Sequence, residues 1–104
     1  AISSIEALPS ILEAVGDNIE IHLDGGIRSG QDILKAIAMG AKGTYIGRPY
    51  IYGLGAYGEK GVTLALEIIR NELDISMALC GYKNIRDVGR STILLPKDFG
   101  KRWA

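Results

Sequence analysis

The stretch that decides the fold is IEIHLDGGIRSGQDILKAIAMGAKGTYIGRP, residues 19–49. IEIHL (19–23) has the length and aliphatic character of a strand. DGGIRSG (24–30) follows, with three glycines beside an aspartate and an arginine. Ser29 has N-cap chemistry for the segment after it. Asp32 then falls at the third helical position, where a carboxylate suits the helix dipole. Ile33, Ala36, Ile37 and Gly40 recur at helical spacing, and Gly40 marks the stop. GTYIG (43–47) reads as a second strand. Its start lies roughly 24 residues after the start of the first, the spacing of parallel strands joined by a crossover helix.

Upstream, SSIEALPSILEAVG (3–16) carries Ile5, Leu8, Ile11/Leu12 and Val15 at helical spacing. Ser3 and Glu6 have capping-box spacing, and Gly16 fits a C-terminal stop. Pro9 is awkward inside a helix, so the first turn is expected to stand apart and the regular helix to begin at Pro9. Downstream, GVTLALEIIRNELDISMALCG (61–81) is the longest helical signal. Val62, Leu66, Ile69, Leu73, Met77 and Cys80 form one apolar stripe. Leu64, Ile68, Ile75 and Leu79 form a second on nearly the opposite side, which predicts burial on two sides. Arg70 and Asp74 are placed to pair at i,i+4. NIRDVG (84–89) reads as a short extra helix capped by Asn84, and LLPKDFGKRWA (94–104) has no clear period.

The fold class expected is therefore α/β, with residues 1–104 as one unit and strands near 19–23 and 43–47. Two parallel strands do not make a stable sheet alone, because both outer edges stay unpaired and parallel sheets are normally covered on both faces. A (β/α)8 barrel takes ~250 residues. The chain is expected to be part of something larger, by truncation, by proteolysis or by assembly with a missing piece. Its first residue, Ala1, fits a processed product or a fragment.

Composition removes several function classes. Twelve Lys plus Arg balance twelve Asp plus Glu, which argues against a general nucleic-acid or membrane-surface binder. No apolar run approaches the ~20 residues of a membrane span, and no charged-then-apolar signal opens the chain. Cys80 is the only cysteine, so no internal disulfide forms, and no Cys/His cluster has metal spacing. A reducing compartment is the plain reading. Cys80 itself is expected to be a buried small hydrophobe.

Chemistry concentrates in the loops. Both strands end in glycine-rich, arginine-bearing segments: DGGIRSG after the first and Gly47-Arg48-Pro49 after the second. Parallel α/β folds bind ligands at the carboxyl ends of their strands. Glycines let backbone N–H groups approach an anion, and a following helix N-terminus adds donors. Arg28 and Arg48 supply permanently charged forks suited to phosphate. Two adjacent loops of this character predict a phosphate site, with a cofactor's phosphate as the expected occupant.

Asp24 has three available roles: catalytic, holding a cofactor hydroxyl, or accepting backbone N–H bonds within its loop. The latter two are favoured. His22 lies mid-strand on the face opposite Ile21 and Leu23, and a lone strand histidine is more often structural. Tyr45, Tyr50, Tyr52 and Tyr57 cluster around the second loop, where packing is the safer reading and a pocket or subunit contact the alternative. Trp103 in the tail carries no functional signal.

LDGGIRSGQDILKAIAMGAKGTYIGRPYIYGLGAYGEKGV (23–62) resembles the last two βα units of the FMN-dependent L-2-hydroxy-acid dehydrogenases and oxidases. That family includes L-lactate dehydrogenase, glycolate oxidase and lactate oxidase. ELDISMALCGYKNIRDVG (72–89) resembles its closing helix and the short helix beyond. The resemblance runs from about residue 2 to 95. Inosine-monophosphate dehydrogenase and an FMN-dependent isomerase carry stretches similar to the first motif. YIGRP, GEKGV and the L..SMAL.G helix discriminate in favour of the hydroxy-acid family.

The resemblance implies the C-terminal βα units of a (β/α)8 TIM barrel, incomplete in this chain. It implies FMN as cofactor, with Asp24, Gly25, Gly26, Ile27 and Arg28 at its ribityl and phosphate end and Gly47 and Arg48 completing the grip. It implies oxidation of an L-2-hydroxy acid to the 2-oxo acid. The family's catalytic histidine and substrate-binding arginine lie in an S-N-H-G-x-R stretch that this sequence does not contain, and the lysine near the flavin is also outside it. His22 does not match that motif. No catalytic residue and no metal ligand is therefore assigned within the chain, and the chain alone is expected to be inactive.

The family is commonly tetrameric, and the second stripe of the 62–80 helix suits such a contact or a missing amino-terminal segment. Cytoplasmic location is expected, with inner-membrane association through segments outside this stretch as the alternative. Two other readings remain open. One is another FMN or nucleotide barrel of the inosine-monophosphate dehydrogenase type, and the other a non-enzymatic, phosphate-binding half-barrel.

Overall fold

Ser3 starts the first element. Its hydroxyl accepts from the Glu6 amide and donates to the Glu6 carboxylate, and α1 runs unbroken over Ser4–Val15. The expected break at Pro9 does not occur. Ile5, Leu8 and Leu12 pack on one core from both sides of the proline, so tertiary contacts hold the first turn on the helix axis despite the missing N–H. Gly16 ends α1, as its position suggested. The computed structural model describes residues 1–101; Trp103 lies outside them.

Two strands follow, shorter than the sequence predicts. β1 is His22–Leu23 and β2 is Gly43–Thr44, paired in parallel with His22 opposite Gly43 and Leu23 opposite Thr44. Backbone bonds extend the pairing at both ends, from Lys42 N–H to the Ile21 carbonyl (2.8 Å) and from Tyr45 N–H to the Leu23 carbonyl (3.0 Å). Each strand has one neighbour among the described residues, and the regular ladder covers only the end of the 19–23 segment and the start of the 43–47 segment. Between the strands lies α2 (Gly30–Met39), capped by Ser29 as its sequence predicts and closed by Gly40.

The main departure from the sequence reading is a helix after β2. Arg48–Tyr57 forms α3, so Arg48 and Pro49, read as loop, open a helix, and residues 50–57, given no element by the sequence, continue it. α4 follows over Glu59–Leu79, and Gly58, at φ +63°, is the single residue between the two. The helices cross at Gly53 and Gly61, where a Cβ on either would overlap the other's backbone. Short 3₁₀ turns at Ile85–Asp87 and Arg90–Thr92 follow α4, the first capped by Asn84 as expected.

Two apolar clusters hold these pieces. Leu8, Leu23, Ile27, Ala36, Met39 and Ala41 are buried between α1, β1 and α2, with Phe99 of the tail packed against them. Leu34, Ala38 and Val88 form the second, closed by Leu73 and Met77 of α4. Thus one face of the two-stranded sheet meets helices through Leu23, while His22 stays exposed on the other.

α4 is covered on one side only. Ile69 is buried and Val62, Leu73 and Met77 are half-buried, but Leu66 of the same stripe is exposed. Leu64, Ile68, Ile75 and Leu79, the second stripe, are 49–84% exposed, so the expected burial on two sides is not met among the described residues. Cys80 is exposed at the helix end, contrary to expectation, because the cover on its stripe stops short of the C-cap. Arg70 and Asp74 do not pair. Tyr50, Tyr52 and Tyr57 are 39%, 69% and 74% exposed on α3 rather than packed, since that helix turns its glycine face to α4.

Candidate binding site at the strand ends

The carboxyl ends of β1 and β2 carry the two glycine loops to the same place. Asp24, Gly25, Gly26, Ile27 and Arg28 form one wall of a cavity of about 240 Å³, and Gly47 and Arg48 form the other. All seven residues singled out in the sequence meet there. Tyr45 and Pro49 complete the lining.

Local chemistry fixes the first loop. Gly25 and Gly26 sit at φ +99° and +86°, a backbone region that side-chain-bearing residues rarely occupy. They turn the chain out of β1 and back toward α2. Ile27 then anchors the loop by burying its side chain in the core, at 4% exposure. Asp32 ties the loop to α2: its carboxylate accepts from the Arg28 amide at 3.0 Å, while its own amide donates to Ser29 Oγ at 3.2 Å. Arg28 is thereby placed at the cavity with its side chain exposed.

The helix that opens on the cavity is not the one expected. The first amide of α2, Gly30 N–H, donates to Glu72 Oε1 of α4 at 3.2 Å, so that terminus is occupied by protein. α3 instead begins at the cavity with Arg48 and Pro49. Gly47 is its N-cap, and no side chain caps it. An uncapped helix start leaves backbone N–H groups seeking an acceptor and a positive dipole end. Two arginines and this terminus make a strongly anion-seeking surface, and the open backbone at Gly25–Gly26 adds close approach.

The donor set fits a phosphate group. The volume suits a phosphate with part of the chain that bears it, being below the ~300–1,000 Å³ typical of whole-ligand pockets. Asp24, at the rim, is exposed and suited to accept from a ligand hydroxyl. Among the described residues no cluster of three His, Cys, Asp or Glu side chains could hold a metal ion, and no helix is long and apolar enough to cross a membrane.

Tyr45, for which the sequence favoured packing and left a pocket as the alternative, lines the cavity. Its hydroxyl lies 3.0 Å from His22 Nδ1, and His22 Nε2 lies 3.7 Å from a Glu20 carboxylate oxygen. The signal was strand parity: Tyr45 stands two residues before Gly47 and shares the face of His22, but the register that joins them is not visible in one strand alone.

A family model for FMN-dependent dehydrogenases matches residues 1–95. The chain belongs to the FMN-dependent dehydrogenase family. Its relatives include mouse (Mus musculus) 2-hydroxyacid oxidase 1, 46% identical over 91 residues, which are 88% of this chain and 25% of the relative. Pre-mycofactocin synthase of Mycobacterium tuberculosis is 44% identical over 97 residues, 93% of this chain and 24% of the relative. A solved mandelate oxidase variant with an FMN adduct superposes with a TM-score of 0.80 at 41% identity, over 85% of this chain and 28% of that one. The chain thus spans about a quarter of the length of the curated relatives it matches. FMN is the cofactor of this family.

Proposed function

We propose that residues 1–104 form the FMN-phosphate-holding, C-terminal βα units of a (β/α)8 barrel that oxidises an L-2-hydroxy acid to the 2-oxo acid. The single observation carrying this reading is the convergence of Arg28, Arg48, the Gly25–Gly26 backbone and the α3 N-terminus on one cavity. Arg28 and Arg48 would neutralise the phosphate, and Asp24 would take a hydroxyl of the chain that bears it. FMN, when bound, accepts the hydride equivalent that leaves the substrate carbon.

No residue of this chain is assigned to take the hydroxyl proton or to hold the substrate carboxylate. Those roles fall to residues outside it, so the chain alone is inactive on this reading. Relatives named for different chemistries, 2-hydroxyacid oxidase and pre-mycofactocin synthase, match at similar identity. That pattern is expected of a segment that grips a shared cofactor rather than a substrate.

The decisive experiment replaces Arg48 with Ala in the full-length protein. Losing a charge-assisted phosphate contact is expected to weaken FMN binding by about 10- to 100-fold. It should also lower the flavin content of purified protein. Unchanged flavin content and affinity would overturn the assignment.

A further inference from the structure

The sheet face opposite the core carries a polar row that the phosphate grip does not use. His22 and Tyr45 share that face, because His22 pairs with Gly43 and Tyr45 lies two residues further along β2's direction. Gly43 makes the pairing possible. A Cβ there would come within 3.2 Å of the imidazole Nδ1 and Cε1, so the bare glycine lets the ring lie low over the neighbouring strand. From that position His22 Nδ1 reaches the Tyr45 hydroxyl at 3.0 Å, with ring centroids 5.7 Å apart.

The proton arrangement follows from the partners. The Glu20 carboxylate can only accept, and it lies 3.7 Å from Nε2. In a neutral imidazole this favours the proton on Nε2 and leaves Nδ1 as an acceptor. The Tyr45 O–H then donates to Nδ1, and the tyrosine oxygen presents only lone pairs to its surroundings. Tyr45 lines the same cavity as Arg28 and Arg48. An oxygen that can only accept is a poor neighbour for phosphate and a good one for a ligand hydroxyl.

We propose that Tyr45 is a ligand-reading residue whose oxygen accepts a hydrogen bond from a hydroxyl of the polyol chain between phosphate and ring system, with His22 as the positioning residue that fixes its polarity. The inference rests on the reading of the cavity as the FMN-phosphate site. It separates two functions within one cavity: the arginines read the anion, and Tyr45 reads the neutral chain beside it.

FMN and riboflavin distinguish these functions, because riboflavin has the polyol but lacks the phosphate. Equilibrium binding of each to the flavin-depleted full-length protein is followed by flavin fluorescence. Tyr45→Phe is expected to weaken both ligands by the same factor, about 5-fold for one neutral hydrogen bond. Arg48→Ala is expected to weaken FMN while sparing riboflavin. His22→Ala should reproduce the Tyr45→Phe loss, and the double variant should lose no more than either alone. His22→Asn, whose side-chain oxygen can stand where Nδ1 was, should restore binding.

The proposal is overturned if Tyr45→Phe leaves both affinities unchanged, or weakens FMN alone, while Arg48→Ala keeps its FMN-selective effect. Failure of His22→Asn to rescue removes the positioning role. An Arg48→Ala variant that treats the two ligands alike would instead sink the phosphate reading beneath it. The flavin-free melting temperature of each variant guards against a general loss of folding, which would lower it.

Discussion

Gly26 holds φ +86° with open space where a side chain would begin. A substitution there meets no neighbour, so its cost is backbone strain alone. Gly26→Ala is expected to destabilise by about 1–2 kcal/mol, the penalty of the left-handed region for an L-residue, and to weaken FMN binding by distorting the loop. Urea unfolding reads the first effect and fluorescence titration the second; an unaltered unfolding midpoint would show that the loop can re-route. Ser29→Ala removes the α2 cap from Asp32 N–H and should cost about 1 kcal/mol by the same measurement. At this scale the sequence was highly legible. Arg28, Arg48 and the glycines declare themselves by residue type, since few other arrangements need them together. Tyr45 and His22 did not, because their meaning depends on a register between strands. Cys80 misled, because an apolar stripe does not say where along a helix its cover ends.

The pair α3–α4 shows what element-level reading missed. Gly47 followed by Arg48 and Pro49 is a helix start, since proline is preorganised for the first turn. The run after it has only Leu54 and Ala56 as strong helix formers among aromatics and two glycines, and a helix there is held by tertiary contact more than by propensity. That contact is the Gly53–Gly61 crossing. Gly53→Ala should push the helices apart and cost about 1–3 kcal/mol, the range of overpacking. Because α3 starts at Arg48, the same variant should shift the cation and weaken FMN binding although it lies away from the ligand. Normal stability with normal FMN affinity would show that the crossing does not set the site. Strand boundaries were overread for a simpler reason. Aliphatic character marks the whole of residues 19–23, whereas a ladder extends only as far as backbone pairing with a partner strand.

At the scale of the molecule, the order helix, strand, helix, strand was legible because hydrophobic period and glycine punctuation agree along the chain. The burial of α4 was only half legible, since its second stripe names a partner without showing one. The cavity has a consequence at this scale too. Its walls come from segments on either side of α2, and beneath it only a short pair of strands joins them. An anion held by both walls is then a removable rivet. Any ligand that binds only the folded form stabilises it by RT ln(1 + [L]/Kd), about 2.7 kcal/mol at a hundredfold excess over Kd. The full-length protein should therefore melt at a temperature that climbs with FMN concentration, and Arg48→Ala should flatten that climb. Flavin supply, in this view, sets how much of the protein survives proteolysis as well as how much of it is equipped to work.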